Sequence, residues 1–405
     1  MTKTDHPQAE PKGHKPFCRR VFYIPGYDPF PPRRYRELYR KEAAAQLAVT
    51  GGTLSLAPNG AQGWRVSANL GQPVTTDVDV LVWSDIVQGS MDQGIAATYW
   101  QLFRTARTYI GSGALARLMR LRKGPMIAAL YPIAFLLLQA LIALAAGIAI
   151  GAGAGALTHP ALGLIAGLAA AYGLLRWFRA QDHRIFAYYL MHDYAFTAAL
   201  NGANPPALEA RLAEFRARIA AAFGENVDEV LVVGHSSGAH LAVSVLADLI
   251  RDGLPAAHPA LGFLSLGQVV PMVSFLPDAH RLRADLAFLS TRDEVTWVDV
   301  TAPGDGCAFA LCDPVAVSGV APPGKRWPLV ISAAFTQTLS PERWQALRWK
   351  FFRLHFQYLC AFDRPGDYDY FAITAGPLTL AQRFAGRQPS KSRVEAPLNR
   401  YRSVA

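Results

Sequence analysis

The sequence predicts an α/β protein in which a mostly parallel sheet carries helices on both faces and is interrupted by a hydrophobic two-helix hairpin. Two observations support this prediction. After residue 205, apolar stretches of strand length alternate with helical stretches, a pattern typical of parallel sheets covered by helices. Between residues 124 and 175, 52 consecutive residues carry no charge, a run that soluble domains rarely contain. The 405 residues are enough for one large domain or two of average size.

Composition and charge exclude several classes of protein. With 51% hydrophobic residues the chain is not a disordered protein, and 40 Lys and Arg against 30 Asp and Glu give a net charge of +10. The cysteines lack the paired spacing of a zinc site or a disulfide framework, so we expect a reducing compartment; they are Cys18, Cys307, Cys312 and Cys360. The polar first residues contain no apolar stretch of a secretory signal. We expect no metal, no other cofactor and no nucleic-acid partner.

The uncharged run at residues 124–175 divides into two helices of membrane-spanning character. One spanning helix needs about 20 apolar residues. We therefore predict passes over residues 125–150 and 161–175, with GAGAGALTHP as the turn between them. A pair of helices buried in a soluble core is the alternative, because Ala-rich helices also fit inside large α/β proteins.

Small residues indicate how the two helices of this hairpin pack, and flanking charges indicate how the hairpin is oriented in the membrane. Glycines recur four residues apart in each pass, which lets two helices approach closely; the pairs are Gly147 with Gly151 and Gly163 with Gly167. Basic residues flank both ends of the run, whereas the turn has none; they are Arg117, Arg120, Arg122, Lys123, Arg176, Arg179 and Arg184. Because loops rich in Lys and Arg stay on the cytoplasmic side, we expect both flanks in the cytoplasm, at a bacterial-type inner membrane.

The hairpin divides the predicted α/β domain into two parts, residues 21–123 and residues 176–382. In the first part we predict strands at VFYI, GWRVSANL and VDVLVWSDIV, and a helix at YRELYRKEAAAQLA. The polar residues 1–20 and the basic residues 383–405 contain few large apolar side chains, so we expect both to be mobile tails.

In the second part, periodicity predicts an amphipathic helix at PALEARLAEFRARIAAAFG and a long helix at PERWQALRWKFFRLHFQYLCAF. Apolar stretches predict strands at EVLVVG, FLSLGQVV, VTWVDV and PLVISAAF. Residues 271–293, between two of these strands, form either a lid over a site or a plain connecting helix.

The pentapeptide Gly234-His235-Ser236-Ser237-Gly238 stands between an apolar strand and an apolar helix. This Gly-x-Ser-x-Gly spacing places a serine on a strained turn, where larger neighbours would clash and where the serine Oγ projects at the carboxyl edge of the sheet. The amino end of the following helix favours negative charge that develops beside the serine. The motif predicts that Ser236 is a nucleophile.

With this motif in this setting, the chain resembles the α/β-hydrolase family over most of its length, apart from the hairpin and the tails. In that family an acid and then a histidine follow the nucleophile along the chain. The resemblance implies Asp305, in the Gly-rich turn after VTWVDV, as the acid. Asp299, inside that strand, and Asp313, before a proline, are the alternatives.

The base implied by the resemblance is His355, because no other histidine follows Asp305. With Tyr358 it forms a His-x-x-Tyr sequence similar to that at the start of the last helix in many such hydrolases. The family's histidine usually lies in a loop, whereas the pattern here predicts a continuous helix. Either the helix breaks near Phe351, or the histidine projects from a helix. The earlier histidines receive site-shaping or structural roles; they are His235, His240, His258 and His280.

An oxyanion hole in this family uses two N–H donors, one from the residue after the nucleophile and one from a loop after an earlier strand. Ser237 supplies the first donor. The sequence IPGYDP resembles the family's His-Gly-x loop, with proline in place of histidine. The resemblance therefore implies the Tyr27 amide as the second donor, with Gly26 permitting the backbone turn.

These roles predict a membrane-anchored serine hydrolase that cleaves a carboxylic ester through an acyl-enzyme. Because an anchored site meets lipids at high local concentration, we expect a lipid or a lipophilic ester as substrate. Two alternatives are a non-catalytic protein of the same fold that binds a lipid or a partner at the membrane, and a lipid acyltransferase. Acyl-chain length and oligomeric state do not follow from the sequence.

Overall fold

A computed structural model describes residues 15–91 and 94–405, and its strands form one sheet. The strands are β1 (Phe17–Ile24), β2 (Thr53–Asn59), β3 (Gly63–Asn69), β4 (Pro73–Val80), β5 (Glu229–His235), β6 (Ala260–Leu266), β7 (Val295–Thr301) and β8 (Leu329–Ser332). Their order is β2-β3-β4-β1-β5-β6-β7-β8. Among the strands of the described residues, only the pairs β2 with β3 and β3 with β4 are antiparallel. The predicted α/β class with a mostly parallel sheet is confirmed.

Helices connect the strands and extend beyond them. They are α1 (Pro32–Thr50), α2 (Ser84–Met91), α3 (Ile95–Gly111), α4 (Ala114–Leu121), α5 (Lys123–Leu157), α6 (Pro160–Ala180), α7 (Asp182–Ile185), α8 (Ala187–Ala198), α9 (Pro206–Ala222), α10 (Ser237–Arg251), α11 (Val270–Ser274), α12 (His280–Leu289), α13 (Pro314–Val317), α14 (Phe335–Thr338), α15 (Pro341–Leu347), α16 (Phe351–His355), α17 (Tyr370–Thr374) and α18 (Leu380–Arg383). A 3₁₀ turn at Phe356–Leu359 follows α16 directly.

The core lies on both faces of the sheet, as the alternation of side chains along β1 requires. Val21 and Tyr23 point to a cluster that includes Tyr39 of α1, whereas Phe22 and Ile24 point to a cluster formed with α9, α10 and α12. Every residue of β5, the strand beside β1, is buried. The two central strands therefore hold their carboxyl ends at a rigid edge.

Several predicted boundaries move in the structure. β1 begins at Phe17, so residues 17–20 of the predicted tail belong to the sheet, and residues 1–14 lie outside the described residues. The stretch VDVLVWSDIV is not one strand: β4 ends at Val80 and α2 begins at Ser84. Leu81 and Trp83 pack on the α9 side of the sheet and Val82 on the other side, which explains the strand-like pattern of these residues. The polar edge strand β2 was not predicted, because it buries no residue.

The hydrophobic run folds into α5 and α6, two helices long and apolar enough to cross a membrane by length and composition. They pack antiparallel and in close contact, since a Cβ placed on Gly163 would lie 2.5 Å from the Gly151 carbonyl oxygen. Gly147 faces Gly167 in the same way. The predicted turn at GAGAG is wrong, because this stretch continues α5 to Leu157. Gly151 and Gly155 of this stretch face Gly163 in the helix contact instead.

The hairpin belongs to a larger inserted unit that runs from α2 to α8. The first half of α5 packs against α3 and α8 in a cluster that contains Leu102, Leu136 and Met191. The Tyr99 hydroxyl donates to the Leu136 carbonyl at 2.9 Å, and the Tyr131 hydroxyl donates to the Ile185 carbonyl at 2.9 Å. The base of α5 is also joined to the α/β domain, because Met126 and Ala129 share a buried cluster with Met272 and Phe309.

The carboxyl-terminal segment differs from the predicted mobile tail. The Val394 N–H donates to the Leu311 carbonyl at 2.7 Å, and the Val394 carbonyl accepts from the Asp313 N–H at 2.9 Å. Asn399 is buried and donates to the Ser274 carbonyl at 2.8 Å. These main-chain and side-chain hydrogen bonds hold the segment on the domain despite its polar composition.

Residues 271–293 form a connection between β6 and β7 rather than a cover. Leu282, Leu286 and Leu289 of α12 are buried in the core cluster on the α10 face of the sheet. Of the two readings left open by the sequence, the plain connecting helix is therefore the one in the structure.

Candidate active site

Ser236 occupies a strained turn at the carboxyl end of β5. Its φ of 57° and ψ of −122° lie in a region that residues other than glycine rarely adopt. Its N–H donates to the Leu266 carbonyl at 2.9 Å, which holds the turn against β6. The flanking glycines are required by space, since a Cβ on Gly238 would lie 2.1 Å from the Ile24 carbonyl oxygen and one on Gly234 would lie 2.7 Å from Ala239 Cα. The motif thus forms the predicted strand-to-helix turn.

The helix predicted around His355 is broken near Phe351, which is the first of the two alternatives that the sequence left open. α15 ends at Leu347, and Lys350 adopts φ −100° and ψ 69°, which interrupts the helix before Phe351. His355 is the last residue of α16 and is buried. A Cβ on Gly267 would lie 3.1 Å from His355 Cε1. Since Gly267 follows the carbonyl bonded to Ser236, the imidazole lies beside the serine turn.

Asp305 is the acid that the structure brings to His355. Its Oδ2 lies 2.7 Å from His355 Nδ1 and accepts from the Tyr358 hydroxyl at 3.0 Å, while its Oδ1 accepts from the Cys307 N–H at 2.9 Å. Burial raises the pKa of the Asp305 carboxyl, but the charge and hydrogen bond of His355 and these other donors outweigh burial and leave the pKa below its ordinary value. The carboxylate is therefore ionised and orients the imidazole.

The two alternative acids lie elsewhere. Asp299 is buried within β7 and accepts from the Ser265 hydroxyl at 2.6 Å, and burial raises its pKa to about 8. Asp313 caps α13 and pairs with Lys325 at 2.5 Å. Both carboxyl groups have structural partners, so neither competes with Asp305 for the imidazole.

The loop after β1 lies directly against the serine. A Cβ on Gly26 would lie 2.9 Å from Ser236 Cβ, so only glycine fits at this position. The loop is held from two sides, since the Trp83 indole donates to the Pro25 carbonyl at 2.9 Å and the Tyr189 hydroxyl donates to the Tyr27 carbonyl. Ser237 begins α10, where no earlier helical carbonyl is available.

The Tyr27 and Ser237 amides are free of backbone partners. Across residues 15–91 and 94–405, no backbone carbonyl accepts from either amide. Two such N–H groups beside one serine are what an oxyanion hole needs.

The remaining histidines have separate places. The His235 ring nitrogen Nε2 donates to the His355 carbonyl at 3.0 Å, and the two rings lie 4.8 Å apart. Burial and the neighbouring His355 lower the pKa of His235 to about 3, so it is neutral and positions the backbone of His355. His240 is buried within α10. His258 precedes β6 at the opposite edge of the sheet, and His280 begins α12.

Sequence reasoning missed Asp193 of α8. It lies one helical turn after Tyr189 and about one turn before Phe196, and both of these rings pack on Tyr27, at 6.2 and 5.8 Å. Asp193 therefore faces the same loop. Its apolar surroundings raise the pKa of the carboxyl to about 7, although the charge of His355 acts in the opposite direction. The signal in the sequence is one acid within the apolar helix AYYLMHDYAFTA.

Some of these groups are also of the residue types that bind metal ions. Asp305, Cys307 and His355 bring three potential ligand atoms within 4.8 Å of one another. However, His355 Nδ1 is already engaged by Asp305 at hydrogen-bond distance, and burial raises the pKa of the Cys307 thiol, which keeps it protonated. The geometry fits a hydrogen-bonded histidine and carboxylate better than a metal centre.

No protein-family model matches the chain, and neither do the curated proteins or the solved structures. What the site can do chemically is therefore argued from its own residues. A serine on a strained turn, a histidine paired with an ionised carboxylate and two free amides are suited to nucleophilic acyl transfer.

Proposed function

We propose that this protein is a membrane-anchored serine hydrolase of the α/β-hydrolase family that cleaves a carboxylic ester of a lipid. The observation that carries the proposal is the His355–Asp305 hydrogen bond of 2.7 Å beside the strained turn of Ser236. A buried histidine paired with an ionised carboxylate, next to a serine in this conformation, is the arrangement that nucleophilic acyl transfer requires.

The mechanism follows from these positions. His355 takes the proton of the Ser236 hydroxyl as the oxygen attacks the ester carbonyl, and Asp305 stabilises the imidazolium that forms. The amides of Tyr27 and Ser237 hold the negative oxygen of the tetrahedral intermediate. His355 then gives its proton to the leaving alcohol, and an acyl-Ser236 ester remains. Water, activated by the same imidazole, releases the carboxylic acid.

The dimensions of the hairpin support the membrane anchor. Gly147 faces Gly167 and Gly151 faces Gly163, so the numbers of residues at the same height on α5 and α6 add up to 314. By this alignment Arg176 of α6 lies level with Leu138 of α5. The part of α5 from Leu138 to Leu157 has no charge, and at 1.5 Å per residue it spans about 30 Å, the thickness of a hydrocarbon core. The exposed apolar side chains of both helices then meet lipid rather than water.

The orientation of the hairpin is part of the proposal. Basic residues flank the open end of the hairpin and none lies at its turn, which supports a cytoplasmic α/β domain. A membrane-impermeant thiol reagent applied to intact cells should modify a cysteine introduced at Thr158. The same reagent should not reach one introduced at Ser55 on the exposed strand β2. The reverse pattern would contradict the orientation.

The activity is tested with a fluorophosphonate probe, which reacts covalently with activated serines. We expect the detergent-solubilised protein to be labelled and expect Ser236→Ala and His355→Ala to lose labelling. Matched controls are Ser55→Ala and His258→Ala, both distant from the site, which should retain it. If folded wild-type protein is not labelled, the non-catalytic lipid-binding protein becomes the better interpretation. Products formed with and without an added alcohol would separate hydrolysis from acyl transfer.

A further inference from the structure

We infer that residues 348–353, here called the aromatic-basic segment, form a second membrane contact that binds an anionic lipid surface beside α5. This inference rests on the proposed function and adds the route by which substrate reaches the site. The segment connects α15 to the helix that carries His355. Its contact with lipid would place the opening of the site at the bilayer surface.

The composition and exposure of the segment are unusual for a soluble surface. Its sequence is Arg-Trp-Lys-Phe-Phe-Arg. The side chain of Trp349 is 72% exposed and that of Phe351 is 46% exposed, and their rings lie 6.4 Å apart. Lys350 lies between them and Arg348 and Arg353 lie on either side, and all three cations are exposed. Large aromatic side chains interleaved with cations are typical of segments that lie in the membrane interface.

The segment is continuous with the base of the hairpin. Phe351 packs on Gly306, where a Cβ would lie 3.2 Å from the Phe351 ring. On its other side Gly306 meets α5, since a Cβ on Gly124 would lie 3.5 Å from Gly306 Cα. One helical turn further along, Ile127 of α5 is 63% exposed. The aromatic-basic segment thus adjoins the amino end of α5 through Gly306, and both Phe351 and Ile127 are exposed near this contact.

The length of α5 explains how this surface can reach lipid. Its uncharged part, residues 124–157, is about 50 Å long, whereas the hydrocarbon core is about 30 Å thick. A helix that is too long for the bilayer tilts. By the alignment given above, residues 124–137 continue about 20 Å past the part of α5 that crosses the core and leave Ile127 and Leu130 exposed, so a tilt toward these side chains brings the amino end of α5, and with it the aromatic-basic segment, toward the membrane surface.

An aromatic path leads from the segment to the oxyanion loop. Phe352 packs on Phe186 at 5.3 Å and on Tyr189 at 6.4 Å. Tyr189 in turn packs on Tyr27 and donates its hydroxyl to the Tyr27 carbonyl. These packed rings connect the segment to the loop that lies against Ser236.

The positive charge of the aromatic-basic segment favours contact with an anionic bilayer over contact with a second copy of the chain. Three cations lie within six residues, and no acidic residue occurs between Glu342 and Asp363. A second copy would bring the same cations against them, whereas each Lys or Arg near an anionic surface is attracted to it.

The test uses the full chain in lipid nanodiscs with an environment-sensitive fluorophore attached at Trp349→Cys. The identically treated wild-type protein supplies the background from native cysteines, and Ser55→Cys is the control position. Lipids that carry a spin-label quencher near the headgroup should remove most of the fluorescence at position 349 and none at position 55. Quenching should be stronger with phosphatidylglycerol than with phosphatidylcholine alone. Absence of quenching at position 349, or equal quenching in both lipids, would overturn the inference.

A second measurement separates this inference from the proposed activity. The ratio of hydrolysis of a bilayer-embedded ester to that of a soluble short-chain ester should fall in Trp349→Ala and stay at the wild-type value in Gln345→Ala. An unchanged ratio in Trp349→Ala would contradict the delivery route. If wild-type protein hydrolyses neither ester, the proposed activity fails, while the quenching result still decides the membrane contact.

Discussion

His355 Nδ1 lies 2.7 Å from Asp305 Oδ2, although the two residues are 50 positions apart in the chain. The bond joins the turn after β7 to the helix fragment after β8, and Tyr358 completes it from one turn further on. Two chain segments thus converge at the carboxyl edge of the sheet. Parallel strands bring their carboxyl ends to a common edge, which is why residues so distant in sequence can meet there.

Replacing the acid tests this pairing. Asp305→Asn should lower the rate of fluorophosphonate labelling by about 10³- to 10⁴-fold, because an amide neither stabilises the imidazolium nor enforces its tautomer. The measurement is the second-order labelling rate of the purified protein. Asp299→Asn is the matched control, since burial keeps the Asp299 carboxyl largely protonated at neutral pH. Equal losses in both variants would contradict the assignment of the acid.

The glycine beside Ser236 should be intolerant of a methyl group. Gly26→Ala would place its Cβ 2.9 Å from Ser236 Cβ and displace the Tyr27 amide. We expect a loss of about 100-fold in the labelling rate, comparable to that of one oxyanion donor. Gly89→Ala, where no atom lies within 4 Å of the new Cβ, should label like the wild-type protein. Normal labelling of Gly26→Ala would remove the loop from the site.

Ionisation of Asp193 should change how the rate of fluorophosphonate labelling depends on pH. Its pKa is raised to about 7, so the carboxyl is neutral below this pH and ionised above it. The ionised form stabilises the imidazolium that His355 becomes during attack. Asp193→Asn should therefore reduce the labelling rate by about five-fold at about pH 8.5 and have little effect at about pH 5.5. If the ratio of the Asp193→Asn labelling rate to the wild-type rate is the same at about pH 5.5 and about pH 8.5, the charge of Asp193 does not act on His355.

Close glycine contact should hold the hairpin together. Gly163→Leu would bring a side chain against the Gly151 backbone, where a Cβ alone would lie 2.5 Å from the carbonyl oxygen. We expect a loss of about 1 to 3 kcal/mol in the free energy of unfolding, from overpacking of the interface. Thermal unfolding in detergent measures it. Gly173→Leu, with open space at its Cβ, is the control, and equal midpoints would contradict the contact.

Local patterns determined much of this protein from its sequence. The alternation of apolar strands and helices predicted the class of the sheet, and the 52-residue uncharged run predicted two apolar helices. The Gly-x-Ser-x-Gly spacing predicted the turn of Ser236 because it reflects steric limits within five residues. Such features depend on neighbours in the chain, so they are readable without the fold.

Tertiary structure alone decided the rest. Asp299, Asp305 and Asp313 were all candidates for the acid on sequence alone. Only packing shows that Asp305 meets His355, while Asp299 and Asp313 have other partners. The break before Phe351, the carboxyl-terminal segment held on the domain and the position of Asp193 over Tyr27 likewise arise from long-range contacts. Propensity and periodicity carry no information about contacts between residues far apart in the chain, because those contacts are selected by the free energy of the whole fold.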